Sequence, residues 1–185
     1  KTYEVDDWYD LIPQQSVGYL AAGKEYMYAT TGGTTSGMRA REDEFYLLRL
    51  DMDCNIVWKE KFALGEFPEC LAVVNGYVFM SLRDKNNNLS RIKIYKDDTM
   101  EEVSSIELGE MNDDKKAANT VRALCKYDDK TLLAFIGCEA VLIDAESFQI
   151  TKRNEIPAPT SVYAVAPDKT VYFAIETTLY SFRFE

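Results

Sequence analysis

Residues 45 to 62 read FYLLRLDMDCNIVWKEKF. A run of large apolar residues, an acidic break from Asp51 to Asn55 and a second run from Ile56 to Phe62 predict two antiparallel strands joined by a tight turn. The pattern returns more loosely as RIKIYKDDTMEEVSSIEL (91–108) and AVLIDAESFQITKRNEI (140–156).

Working outward, Val17, Tyr19 and Ala21 share one strand face. Gly23-Lys24 suits a two-residue hairpin turn into a strand carrying Tyr26, Tyr28 and Thr30. Cys70 to Val74 and Tyr77 to Leu82 flank Asn75-Gly76, a strong hairpin signal. Thr120 to Lys126 and Thr131 to Gly137 pair around YDDK. Ser161 to Ala166, Thr170 to Glu176 and Thr178 to Phe184 make a last group of three. The polar residues closing each third strand are Asp51, Asp97, Asp144 and Glu185, at intervals of 46, 47 and 41 residues. A period in the low to mid forties with four strands per unit predicts an all-β fold, a β-propeller of four-stranded antiparallel blades. One such sheet cannot bury both of its faces alone, and radial stacking does so. The expected units are 16–62, 69–108, 119–156 and 161–185, the last closed by a strand at 1–8. Four units make either a small ring or half of a larger one. A β-sandwich is the alternative that strand counting also allows.

Leu48, Leu50, Asp51, Val57 and Trp58 resemble the "aliphatic–x–Leu–Asp–turn–Val–x–Trp" line of pyrroloquinoline-quinone-like propeller repeats, and Leu142, Ile143 and Asp144 resemble it again. Val57 and Trp58 are adjacent here, and Cys54-Asn55 stands where the repeat has a turn glycine, with Asn55 able to adopt the left-handed conformation. The WD-type version, with its Trp-Asp and Gly-His pairs, is not matched. The resemblance implies a fold rather than a reaction, and no residues mark a quinone site, so no cofactor is expected.

The chain has 185 residues, 46% of them hydrophobic, with 12 Tyr and 9 Phe. That is enough for a core and suits half-buried strands. Net charge is −10, from 31 acidic and 21 basic side chains, which disfavours nucleic acid and anionic membrane surfaces as partners. There is no histidine, so imidazole acid–base chemistry and most zinc or copper sites are ruled out. Cys54, Cys70, Cys125 and Cys138 contain no CxxC spacing and read as free thiols, leaning towards a reducing, cytoplasmic setting. The chain starts at Lys1, which leaves a removed leader and a secreted protein open.

Several stretches suggest chemistry, each with a plainer explanation. Asp51-x-Asp53-x-Asn55 has the spacing of half a calcium loop, but Ile56 replaces the glycine and Phe62 the closing Glu, so no metal is expected. Gly32 to Gly37 is glycine-rich without a following Lys-Ser/Thr. The pairs Asp6-Asp7, Asp97-Asp98, Asp113-Asp114 and Asp128-Asp129 suit turns better than a glycosidase pair. Asn88-Leu89-Ser90 is a glycosylation sequon. Tyr3, Tyr26, Tyr28, Tyr77, Tyr163, Tyr172 and Trp58 are expected to pack within and between blades.

In a four-stranded blade the links from fourth to next first strand and from second to third strand lie on one rim. That rim would carry Met38, Arg39, Arg41, Phe67, Arg83, Lys85, Lys115 and Lys116, a basic and partly apolar surface on an acidic protein. The expected function is a non-enzymatic module that binds a protein or peptide there. Further blades, from missing chain or a partner, are an open addition. The alternative is an extracytoplasmic carbohydrate- or ligand-binding propeller, with carboxylate-based catalysis at its limit.

Overall fold

A computed structural model describes residues 15–33, 45–111 and 119–185. The expected strand at 1–8 therefore lies outside the described residues. Within them the structure is all β, without helix, in four antiparallel sheets. The first holds β1 (Gln15–Ala22), β2 (Met27–Gly33), β3 (Tyr46–Leu50) and β4 (Ile56–Lys61). The second holds β5 (Glu66–Val74), β6 (Tyr77–Asp84), β7 (Leu89–Lys96) and β8 (Glu102–Glu110). The third holds β9 (Val121–Lys126), β10 (Thr131–Ile136), β11 (Glu139–Asp144) and β12 (Ile150–Glu155). The fourth has β13 (Tyr163–Val165), β14 (Val171–Ile175) and β15 (Thr178–Phe182). In every sheet the strands lie in chain order.

The sheets pack face to face in sequence. Tyr28 and Leu47 of the first sheet meet Val78, Met80 and Leu82 of the second. Phe79, Ile92 and Ile94 of the second meet Leu132, Ala134 and Ile136 of the third. Leu133 and Phe135 of the third meet Val171 and Phe173 of the fourth. A strand alternates its side chains between two faces. Both faces of β6 and β10 are filled, which is why these strands read as unbroken apolar runs. The outermost strands β4, β8 and β12 have only one packed face; β4 and β8 show alternating exposure, and β12 is mostly exposed.

Three local departures from the sequence expectations have physical causes. The β1–β2 link is not the two-residue turn at Gly23-Lys24. Ala22 pairs with Met27, and the Gly23 N–H donates to Tyr26 C=O at 2.8 Å, so the loop holds four residues and Tyr26 lies in it. The 63–69 segment is not all loop. β5 begins at Glu66 and carries an irregularity between Pro68 and Leu71, a place that tolerates a proline with no N–H to give. In the Asp51 turn it is Cys54, with φ 67°, and not Asn55 that takes the left-handed conformation. Met100 and Phe148 do the same in the corresponding turns of the second and third sheets, at φ 59° and 60°. Each closes its turn by donating its N–H three or four residues back: Cys54 to Asp51, Met100 to Lys96, Phe148 to Asp144.

Of the aromatic residues expected to pack, Tyr28 is fully buried, Tyr163 stacks on Phe135 at 5.5 Å and Trp58 meets Tyr95 edge-on at 6.4 Å. Tyr172 does not follow: it points away from the third sheet and is 39% exposed. Phe135→Ala would remove a fully buried ring between the third and fourth sheets. It should cost about 3–5 kcal/mol, seen in chemical denaturation as a lower midpoint at unchanged slope.

Candidate functional site

Among the described residues, two loops pinned together build one part of the rim expected to bind a partner. One runs from Phe62 to Glu66, between the first and second sheets. The other runs from Asp84 to Leu89, between β6 and β7. The Lys85 N–H donates to Gly65 C=O at 2.9 Å, and the Asn86 side-chain amide donates to Leu64 C=O at 2.5 Å. Gly65 has φ +90°, and a Cβ there would lie 2.6 Å from the Asn86 amide. Only glycine permits this approach.

Asp84 organises the second loop. Its carboxylate is nearly buried and accepts from the N–H groups of Asn86 at 3.0 Å and Asn87 at 3.1 Å, and from the Asn87 amide at 2.7 Å. Arg91 stands 3.6 Å away. Burial by itself would raise the Asp84 pKa; the donors from Asn87 and Asn86 and the Arg91 charge outweigh it and hold the carboxyl below its usual range.

Phe67 and Arg83 face each other across β5 and β6. The Arg83 guanidinium lies 5.1 Å and the Lys85 ammonium 4.6 Å from the Phe67 ring centre, and Phe45 meets the ring edge-on at 4.7 Å. Arg83 is bound by Glu69 at 2.7 Å. It therefore supports the surface, with its charge already matched. Lys85 is exposed and forms no ion pair among the described residues. Beside it Leu64 is 59% exposed. Sequence reading missed Leu64; the available signal was a large aliphatic residue before glycine in a short link between strands. Met38, Arg39, Arg41, Lys115 and Lys116 lie outside the described residues.

The opposite rim holds a cavity of about 400 Å³ between the first and second sheets. Lys24, Tyr26, Asn75, Tyr77, Asp97 and Asp98 contribute to its wall. Arg49 lies beneath Tyr26, 3.5 Å from its ring centre, and donates to the Asp98 C=O at 2.8 Å. The Tyr28 hydroxyl donates to the Asp97 carboxylate, and burial followed by that bond raises its pKa.

Elsewhere the candidate groups are used structurally. Asp51 accepts from the Asp53 and Asn55 N–H groups at 2.9 and 2.8 Å and from the Asn55 amide at 2.8 Å, which makes this segment a hydrogen-bonded turn. Asp128 pairs with Lys169 at 3.3 Å and Asp129 with Lys126 at 2.6 Å. Cys70, Cys125 and Cys138 are free thiols, and burial pushes Cys70 up to about 11 and Cys125 up to about 12. Both thiols stay protonated at neutral pH and are poor nucleophiles.

No protein-family model matches the sequence, and no curated protein sequence does. Solved structures do match. The Dos1 propeller superposes with a TM-score of 0.62 at 8% identity, over 90% of this chain and 41% of that one. The architecture is that of a β-propeller. A protein of unknown function from Bacteroides caccae matches with a TM-score of 0.58 at 13% identity, over 88% of this chain and 54% of that one. The glutaminyl cyclase of Myxococcus xanthus matches with a TM-score of 0.54 at 13% identity, over 89% of this chain and 64% of that one. The chain thus spans between 41% and 64% of the length of these proteins. At such identities the likeness is one of fold.

Asp84 gives the rim a pH dependence. Its pKa in the folded protein lies below the unfolded value of about 4. Its contribution is therefore complete above about pH 4 and lost as pH falls through the folded value. Asp84→Asn should lower stability near pH 7 by about 1–3 kcal/mol and narrow the gap to wild type below about pH 4, read from melting temperature against pH.

Proposed function

We propose that this protein is a non-enzymatic propeller scaffold that binds a protein or peptide through the rim of Leu64, Phe67 and Lys85. The observation that carries this is the exposed Leu64 beside the Lys85 ammonium, which lies over the Phe67 ring and forms no ion pair among the described residues, both held on loops that the Lys85–Gly65 and Asn86–Leu64 hydrogen bonds fix in place. An apolar group next to a cation on a rigid base suits a segment with a hydrophobic anchor and a carboxylate. The preset geometry lowers the entropic cost of binding. Arg39, Arg41, Lys115 and Lys116 would extend the same basic surface.

A displayed library of peptides with acidic and apolar positions tests this. Peptides selected on the wild-type protein should lose about tenfold or more in affinity on Leu64→Asp and on Lys85→Glu. Both sites are exposed, so melting temperatures should hold. Equal binding to the variants, or no selected peptide, would reject the rim as the site.

The cavity on the other rim favours a second reading, a small polar ligand such as a saccharide, because tyrosines, an amide and carboxylates meet there. A sugar panel should then include one that raises the melting temperature of wild type but not of Asp98→Ala. The Arg49 bond goes to the Asp98 backbone and survives that change. A panel with no effect on wild type removes this reading.

A further inference from the structure

Equivalent positions in successive sheets can be matched through their pairing. Val78, Leu132 and Val171 all face the preceding sheet. The residue after each faces forward: Phe79, Leu133 and Tyr172. Phe79 and Leu133 are fully buried under the next sheet; Tyr172 is 39% exposed. On the third strand, Ser81 pairs with Ile92, Phe135 with Ala140 and Ala174 with Leu179. Ile92 and Ala140 are fully buried; Leu179 is 71% exposed. At the first strand of the fourth sheet, Val162, just before β13, is 63% exposed, and Ala164 within it is exposed as well. None of these forward-facing residues of the fourth sheet is charged.

The positions that carry the packing between the second and third sheets, and between the third and fourth, thus recur on the fourth sheet as exposed positions. We propose that a further antiparallel sheet of the same propeller, carried on the same polypeptide, packs on Val162, Ala164, Tyr172, Ala174 and Leu179. It would bring an apolar strand face of the kind β6, β10 and β14 present. Two observations select this occupant. A second copy of this chain, added in the same sense, would have to offer the rear face of its first sheet. That face is already occupied: Ala29, Tyr46, Leu48 and Leu50 are buried there. The solved structures of matching fold are longer than this chain, which covers 41% of the Dos1 propeller and 54% of the Bacteroides caccae protein. The surface is separate from the rim of Leu64 and Lys85 and does not depend on its role.

A photo-crosslinking residue placed at Leu179, in the protein produced from its own gene, tests the proposal. Met52, exposed on a hairpin tip, serves as the control position. The expected product is a link within one polypeptide, about tenfold or more above the control, to a peptide with alternating apolar residues. Leu179→Asp in the same protein should lower the melting temperature by about 4 °C or more, while Met52→Asp leaves it in place. A yield equal to the control, a link between two copies, a link to another protein, or an unchanged melting temperature for Leu179→Asp would each overturn it.

Discussion

Leu132 and Leu133 are neighbours on β10, point in opposite directions and are both fully buried. Two adjacent strand residues can be sealed from water only if something packs on either side, and for β10 that is the second sheet on one side and the fourth on the other. Burying one such leucine is worth roughly 1.5–3 kcal/mol, and the condition repeats at Val78 and Phe79. No single sheet here could meet it. Everything else in the arrangement follows from that need: sheets that stack in chain order, inner strands that are apolar throughout, and outer strands such as β4 that alternate because one side meets solvent.

Tight stacking confines variation to the rims. Inner strands such as β6 and β10 cannot change without disturbing two interfaces at once, whereas the links between strands face water. One rim is fastened by Asp84, Asn86 and Gly65, and presents Leu64 and Lys85 on that base. The other is fastened by Tyr28 and Arg49, which reach from the first sheet to the Asp97–Asp98 turn of the second. On the first rim hydrogen bonds between two loops, and on the second a polar contact between sheets, add to the apolar packing and set where the loop sits.

Much of the fold was legible because the repeat has a ruler. Asp51, Asp97 and Asp144 close or follow the third strands of three sheets, as their spacing implied. The misreadings come from effects that pairwise sequence signals do not carry. Gly23 looked like a two-residue turn, yet Tyr26 is held in the loop by the guanidinium of Arg49, 23 positions further on. Pro68 looked like loop because an irregular strand tolerates it only at one place. At the rim, Arg83 and Lys85 read alike as exposed bases. Only the register that sets Arg83 beside Phe67, with Glu69 in reach, separates a supporting cation from an available one. Leu64 was invisible to a search for charge.

Stacking in one direction also sets how the molecule comes apart. Each sheet gains from its two neighbours, so stability is distributed along the stack as in a linear array, with interface terms between adjacent units. Among the described residues the fourth sheet has such an interface on one side, through Val171 and Phe173. Its amides, on β13 to β15, would therefore exchange with solvent by local opening well before those of β6 and β10, whose release requires two interfaces to separate together.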